Sequence, residues 1–317
     1  MTGASTPGRS LVIVNRNAAR VRDADSRRVL LDRLQAVLAR RDGAAPTIVE
    51  TVDAAGTRPA VEAALGDGVR AVIGVGGDGT LRDIAGALAN QETPLGVIPG
   101  GTGNQLAAAL GIPRSPLRAA DVLEHAWPRS IDLGEVEIRQ AAVPLQVTVF
   151  TIGCGVGFDA RLMATTPAAW KRRIGSAAYF IQALRLAARV SAAPYRITID
   201  GRLIETEASL ALIGNMGQLV PGVLGPRMPI EPDDGQLDLL VVGANNAFDG
   251  LRGLADQLWR TSPGGESGSR SIRLRGRQIT IQPGRPEALE VDGDYVGEGS
   301  LEARVLPAAI KVLVAGS

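Results

Sequence analysis

The chain has 317 residues, of which 45% are hydrophobic and 21% charged, and its formal net charge is +1. Such a composition is typical of folded protein and excludes a disordered chain, while the length fits two domains better than one. The near-neutral charge argues against general nucleic-acid binding, which depends on a basic surface.

The first part of the chain alternates short β-branched runs with helical patterns. This alternation predicts a doubly wound, mostly parallel sheet with helices on both faces, that is, an α/β domain. Thr57 is expected to cap the second helix, with Pro59 in its first turn. The predicted strands are 11–14, 47–49, 72–75 and 95–98, and the clearest helices are 25–40 and the segment after Thr80 that carries Leu81, Ile84 and Leu88.

Polar and glycine residues follow each of these strands. Because ligands of parallel sheets bind beyond the carboxyl ends of the strands, the residues at those ends are expected to meet at one edge. They are Asn15, Thr51, Gly76 to Thr80, and Gly100 to Asn104.

The third strand leads into the run AVIGVGGDGTLRDIAGAL, residues 71–88. A strand, a glycine loop and a helix present bare N–H groups and the positive end of a helix dipole, which suits a phosphate. Asp78 lies in this loop, and beside phosphates it would need a metal ion, a proton or a bound hydroxyl. Taken alone, the loop is equally compatible with a simple turn.

A second loop of the same kind, Pro99-Gly100-Gly101-Thr102-Gly103-Asn104, follows the fourth strand. Two such loops on adjacent strands predict a nucleotide site. Neither loop has the Gly-Lys-Ser/Thr ending of the Walker motif or the dinucleotide fingerprint. P-loop hydrolysis and hydride transfer are therefore disfavoured.

After residue 134 the pattern changes to short strands joined mostly by turns such as Asp200-Gly201 and Asp292-Gly293. This pattern predicts an antiparallel β-sandwich, so we divide the chain into domains at 1–134 and 135–317. The final run, 310–314, could close either domain. Strands are predicted at 136–138, 145–152, 196–199, 210–213, 237–242, 272–274, 279–281 and 289–291, with a flexible loop at 261–270.

Residues 161–189 combine basic and apolar side chains, among them Lys171. A helix of this kind can lie on an anionic bilayer, or it can pack on the sandwich with its charges solvated. No run reaches the roughly 18 apolar residues that a membrane-spanning helix needs, and no signal peptide is recognised. We expect a cytoplasmic protein that meets a membrane only peripherally. The single cysteine, Cys154, suits a reducing compartment, and we expect it to be buried.

Further short motifs fall in a fixed order along the chain: Ile131-Asp132-Leu133-Gly134, Gly155 to Ala160 followed by Lys171, Pro232 to Asp238, and Val291-Asp292-Gly293-Asp294. Together with the two glycine loops, they resemble the diacylglycerol kinase catalytic family, which includes bacterial lipid kinases, sphingosine kinases and ceramide kinases. The resemblance extends over nearly the whole chain, and the order and spacing of the motifs agree.

The resemblance implies a kinase that uses ATP and Mg²⁺, with an NAD kinase-like first domain and a lipid alcohol in the interdomain cleft. Asp294 would be the general base, with Asp292 in the same turn and Asp78 near the phosphates. The residues implied to line the nucleotide are Asn15, Asn17, Thr51, Gly76, Gly77, Asp78, Gly79, Thr80, Leu81, Arg82, Gly101, Thr102 and Asn104.

Outside the nucleotide site, the resemblance implies a structural Mg²⁺ held by Asp234 and the carbonyls of Glu231 and Gln236, since hard oxygen ligands suit this ion. Asp132 matches the family's domain-junction aspartate, and Lys171 belongs to the basic helix on the substrate side. The favoured substrate is diacylglycerol, giving phosphatidic acid. There are three alternatives. The substrate could be a sphingoid base or ceramide, the activity could be NAD kinase-like, or the protein could be a non-catalytic regulator that binds a nucleotide or lipid. The sequence is also compatible with a homodimer.

Three departures from the family pattern affect these expectations. The usual Asn-Pro-x-Ser-Gly opening is Asn15-Arg16-Asn17-Ala18-Ala19, which places the first nucleotide contact in question. The catalytic glutamate is Asp294, one methylene shorter. Bacterial diacylglycerol kinases commonly have aspartate and phenylalanine after the asparagine of the second loop, whereas this chain has Gln105-Leu106, which is nearer the sphingoid branch.

Overall fold

The computed structural model describes residues 8–141, 143–157, 192–217, 230–243 and 271–316. Two compact units are formed, one by Met1–Leu133 with Ala308–Ser317 and the other by Gly134–Pro307. The predicted basic segment 161–189, with Lys171, and the predicted loop 261–270 lie outside the described residues. No helix within the described ranges is long and apolar enough to cross a membrane.

Unit 1 contains a parallel sheet, as its alternating pattern predicts. The strand order is β2-β1-β3-β4-β15, and every neighbouring pair is parallel. Each of the first four strands is five residues long. Strands β1, β3 and β4 are mostly apolar because helices cover both faces of such a sheet, whereas β2, at the end of the strand order, is more polar and partly exposed. The strands are β1 (Leu11–Asn15), β2 (Thr47–Thr51), β3 (Val72–Gly76), β4 (Leu95–Pro99) and the end of β15 (Asp294–Val314).

The first helix of unit 1 begins and ends at recognisable capping residues. Helix α1 starts after Asp23, whose side chain accepts a hydrogen bond from the Ser26 amide, and it ends at Gly43 with a φ of 75°. Its buried face comprises Leu30, Leu34, Val37 and Leu38. The helices are α1 (Ala24–Asp42), α2 (Ala54–Gly66), α3 (Asp78–Ala87), α4 (Gln105–Ala109) and α5 (Pro116–Val122), followed by a short 3₁₀ turn (Leu123–His125).

The prediction for the start of α2 is wrong. The helix is capped by Asp53, whose carboxylate accepts a hydrogen bond from the Gly56 amide, and not by Thr57. Thr57 lies one turn inside the helix and donates its hydroxyl to the Asp53 carbonyl. Pro59 therefore lies inside the helix. Asp and Thr are both favourable N-cap residues. Asp53 is the one that caps α2, because it directly precedes the first helical residue.

Unit 2 has two antiparallel sheets around one apolar core, as predicted for a β-sandwich. One sheet has the order β12-β11-β10-β7-β14-β15, and the other has the order β9-β8-β13-β15-β5-β6. The strands are β5 (Trp127–Arg139), β6 (Gln146–Phe150), β7 (Gly153–Gly157), β8 (Ala193–Ile199), β9 (Arg202–Ala208), β10 (Leu210–Gly214), β11 (Leu237–Val242), β12 (Ser271–Gly276), β13 (Gln278–Pro283) and β14 (Glu287–Val291).

Strand β15 is long because it pairs with several strands, among them β5 in the second sheet of unit 2. Its first residues pair with β14, residues from Leu301 to Arg304 pair with β13, and Val312 pairs with Leu95 of β4. Gly297 (φ 121°) lies at a register shift within the pairing with β14, and Gly299 (φ 158°) is the last residue of that pairing before the residues that pair with β13. The last run therefore returns to unit 1, which the sequence left undecided.

The single predicted strand 145–152 is wrong in its extent. Strand β6 ends at Phe150, and a turn at Thr151-Ile152 precedes β7, which begins at Gly153. The apolar run is continuous in sequence, so the break has no local signal. Its cause is tertiary, because the amides of Thr151, Ile152 and Gly153 all donate to the carboxylate of Asp292.

Candidate functional site

The carboxyl edge of the unit 1 sheet brings the predicted polar residues together. Asn15 and Thr51 are register partners at the ends of β1 and β2. The side-chain amide of Asn15 donates to the Thr80 hydroxyl at 2.9 Å, which joins the end of β1 to the first turn of α3. Strand ends that are far apart in sequence therefore form one continuous polar surface.

The first glycine turn is shorter than the sequence suggests. Strand β3 ends at Gly76 and helix α3 begins at Asp78, so only Gly77 lies between them, and Gly79 and Thr80 lie in the first helical turn. A Cβ on Gly76 would lie 2.6 Å from the Thr80 Cβ, which excludes any side chain there. The residue that caps α3 is Gly77, which has no side chain to accept from the first amides of the helix.

The second glycine turn is hydrogen-bonded to the first. The Gly100 amide donates to the Gly76 carbonyl at 2.7 Å, and a Cβ on Gly101 would lie 2.6 Å from the Gly77 Cα. Backbone therefore packs on backbone, and glycine is required for the approach.

Asn104 braces the second turn. It is buried, has a φ of 53°, and exchanges two hydrogen bonds of 2.8 Å with the amide and carbonyl of Gly101. Asp78 also contributes, since its carboxylate accepts from the Leu106 amide at 3.2 Å. These contacts make the two turns one preorganised surface of amides.

The other predicted nucleotide residues differ in exposure. Thr102 and Asn17 are exposed, and the side-chain amide of Asn17 donates to the Val52 carbonyl. Arg82 is half-buried on α3. Thr51 is buried with its hydroxyl 3.5 Å from that of Thr57, and Leu81 belongs to the core. The side chains of Thr51 and Leu81 thus support the sheet edge from within.

In unit 2, the Asp292-Gly293 hairpin is held by one carboxylate with four donors. Asp292 Oδ2 accepts from the Thr151 amide (2.9 Å) and hydroxyl (3.1 Å), and Oδ1 accepts from the amides of Ile152 (2.8 Å) and Gly153 (3.0 Å). The Asp292 amide donates back to the Gly153 carbonyl. Because both carboxylate oxygens are used in this way, the geometry favours a positioning role for Asp292 over a direct catalytic one.

Two further residues stabilise the Asp292-Gly293 hairpin and its surroundings. The sequence did not predict this role for either of them. Asn215 is fully buried, and its side-chain amide donates to the Thr151 carbonyl at 3.0 Å. Glu290 is also buried and accepts from the Gly293 amide at 2.7 Å. Asp294 follows the turn, pairs with Val291 across the hairpin, and has an exposed side chain. A rigid turn thus presents an exposed carboxylate.

Cys154 is buried as predicted. Burial raises the pKa of its thiol well above the ordinary value, and the nearby carboxylates of Glu290 and Asp292 raise this pKa further. The thiol therefore stays protonated and serves as a small core residue.

The predicted metal segment is already paired with a cation of the protein. Asp234 Oδ1 accepts from the Gln236 amide at 3.0 Å, and Oδ2 accepts from the Arg275 guanidinium. The Glu231 side chain is exposed. No cluster of three or more His, Cys, Asp or Glu within the described ranges is arranged to hold a metal ion. Asp234 is the one side chain in the predicted Mg²⁺ ligand set, and both of its carboxylate oxygens are therefore already bonded within the protein.

Asp132 lies next to Leu133, the last residue of the first chain segment of unit 1. It is buried, and Oδ1 accepts from the Ala308 amide at 2.7 Å. Ala308 has a φ of 50°, a conformation that costs a non-glycine residue free energy. Asp132 stabilises this conformation where the chain re-enters unit 1. Lys171, the other residue expected on the substrate side, lies outside the described residues.

Comparison with protein-family models identifies the class of protein to which the chain belongs. Residues 9–136 match the diacylglycerol kinase catalytic domain, and residues 153–314 match the YegS C-terminal NAD kinase beta sandwich-like domain. The fold and the glycine turns therefore define a kinase with an α/β catalytic domain and a β-sandwich domain. The chain belongs to the diacylglycerol kinase catalytic family.

Individual relatives agree with this assignment. A Pseudomonas aeruginosa protein named "Probable lipid kinase YegS-like" is 34% identical over 82% of both chains. A protein of Mycobacterium tuberculosis named "Diacylglycerol kinase" is 30% identical over 84% of both chains. A Synechocystis sp. protein is 27% identical over 78% of this chain, which spans 55% of that protein's length.

A crystal structure of a Bacillus anthracis protein has the same fold, with a TM-score of 0.76, 22% identity and coverage of 99% of this chain and 98% of that one.

Proposed function

We propose that the protein is an ATP-dependent lipid kinase that transfers the γ-phosphoryl group to a lipid hydroxyl, with diacylglycerol as the favoured acceptor. The observation that supports this proposal best is the pair of hydrogen-bonded glycine turns at the sheet edge of unit 1. Their amides, with the start of α3, suit the phosphates of a nucleotide. Family membership favours the lipid acceptor.

In the proposed reaction, the lipid hydroxyl oxygen attacks the γ-phosphorus, and the bond from that phosphorus to the bridging oxygen of the leaving ADP breaks. Asp294 accepts the hydroxyl proton, for which its exposed carboxylate is suited. Mg²⁺ that arrives with ATP would neutralise charge on the transferring phosphoryl group. Asp78 is the carboxylate of unit 1 at this edge, and we propose that it lies near the phosphates and orients the second turn through the Leu106 amide.

The acceptor can be identified by incubating the purified protein with labelled ATP and Mg²⁺ and with mixed micelles of four lipids in parallel. These are diacylglycerol, monoacylglycerol, ceramide and sphingosine, the last two included because Gly103-Asn104-Gln105-Leu106-Ala107 resembles the sphingoid branch. We expect labelled phosphatidic acid from diacylglycerol. ATP binding without transfer to any of the four lipids would contradict the proposal and favour a binding protein.

The contact between the two turns gives a first prediction for the nucleotide site. Gly101→Ala places a Cβ 2.6 Å from the Gly77 Cα, so the turns must separate. We expect the Kd for ATP to rise at least about tenfold, since the amide surface loses its preorganisation. Isothermal titration calorimetry measures this effect.

Gly66→Ala is the matched control, because a Cβ there meets no atom within 4 Å and the position lies at the end of α2. This variant should bind ATP like the wild type. Unchanged ATP affinity in a folded Gly101→Ala variant would remove the second turn from the proposed site.

A further inference from the structure

The segment that the family resemblance assigns to a structural Mg²⁺ contains three aspartates, and two of them, Asp234 and Asp238, face two arginines. Asp238 on β11 is the register partner of Arg275 on β12. Its carboxylate is 1% exposed and accepts from Arg273 at 2.6 and 2.9 Å, while Arg275 Nε lies 3.3 Å from the other oxygen. Arg275 also bonds Asp234. Two carboxylates and two guanidinium groups thus form a charge-balanced cluster.

We infer that the Arg275 guanidinium takes the place of the divalent cation, so that this segment is held together without bound metal. A buried carboxylate such as that of Asp238 is stable only beside a compensating cation, and both arginines supply that charge. The planar guanidinium reaches two carboxylates at once, since it donates to Asp234 and its Nε lies in ion-pair distance, 3.3 Å, of Asp238 Oδ2.

The same geometry disfavours an additional Mg²⁺. Mg²⁺ needs near-octahedral oxygen ligation and loses its water reluctantly. At Asp234, one carboxylate oxygen already accepts from the Gln236 amide and the other from Arg275. A divalent ion bound to the same carboxylate would also be repelled by the adjacent guanidinium. An arginine guanidinium is always charged in proteins, so this repulsion is permanent.

The inference does not depend on kinase activity, and metal binding by the full chain without nucleotide tests it directly. After treatment with EDTA, the wild-type protein is titrated with MgCl₂ by isothermal calorimetry, and its melting is recorded with and without Mg²⁺. We expect no saturable binding at this segment and a shift in melting temperature below about 1 °C, since there is no linked site.

Removing the guanidinium should create a metal site. In EDTA, we expect Arg275→Ala to melt roughly 5 °C below the wild type, because two carboxylates lose a partner. Mg²⁺ should recover at least half of that loss. The control is Arg196→Ala, which breaks an exposed pair with Glu205 (Nε to Oε1, 2.9 Å) and should melt within about 1 °C of the wild type with no response to Mg²⁺.

Saturable Mg²⁺ binding to the wild type that Asp234→Asn abolishes would overturn the inference, as would equal Mg²⁺ stabilisation of the wild type and Arg275→Ala. If Arg275→Ala does not fold, the wild-type titration and Asp234→Asn still decide the question. Failure of the lipid-kinase assay leaves these results unaffected.

Discussion

Asp294→Asn should reduce the kcat for phosphoryl transfer by a factor of about 10²–10⁴, with the Kd for ATP changed less than about twofold. The asparagine amide cannot accept the hydroxyl proton, and the residue belongs to unit 2 whereas the proposed nucleotide surface belongs to unit 1. Initial rates with the best lipid of the panel and calorimetric ATP binding measure the two effects separately.

Glu298→Gln is the matched control for this experiment, since Glu298 is an exposed carboxylate on the same strand. It should retain wild-type kcat. Parallel loss of transfer and ATP affinity in Asp294→Asn would instead assign the residue a structural role. A normal kcat in a folded Asp294→Asn variant would show that another group takes the proton.

Asp292→Asn should lower the free energy of unfolding by about 2–4 kcal/mol and reduce kcat, while the KM for ATP stays near the wild-type value. An asparagine side chain has only one acceptor oxygen. Its amide group would face two of the four donors that now bond the carboxylate. The turn that presents Asp294 would then lose its brace. Urea unfolding and steady-state kinetics, both at a temperature where the variant is folded, measure the effects.

The Asp200-Gly201 hairpin offers a closely matched control. Both aspartates have a φ of 48°, and Asp200 likewise accepts hydrogen bonds from the backbone amides of a neighbouring strand, those of Arg277 and Gln278. Asp200→Asn should therefore lower stability but leave kcat unchanged. If both variants lose transfer to the same degree, general destabilisation explains the loss and the positioning role of Asp292 is excluded.

The sequence predicted much of the fold because local patterns are sufficient for it. Short β-branched runs became β1 to β4, and the two predicted turns, Asp200-Gly201 and Asp292-Gly293, are hairpin turns with positive φ. The glycine turns were predicted to meet because parallel strands end at a common edge, and the hydrogen bond from Gly100 to Gly76 joins them there. Each of these features depends on residues close in sequence or on a general rule of sheet topology.

Tertiary structure alone decided the features whose partners are distant in sequence. Thr151 bonds Asp292, 141 residues away, and this contact ends β6 where the apolar run would have continued. Arg275 faces Asp234 only because β12 pairs with β11, so a segment predicted to bind metal receives a cationic side chain from a strand that is distant in sequence. The return of β15 to unit 1 likewise depends on its pairing with β4. No local pattern specifies such pairings, because they are selected by the packing of whole sheets and by the need to compensate buried charge.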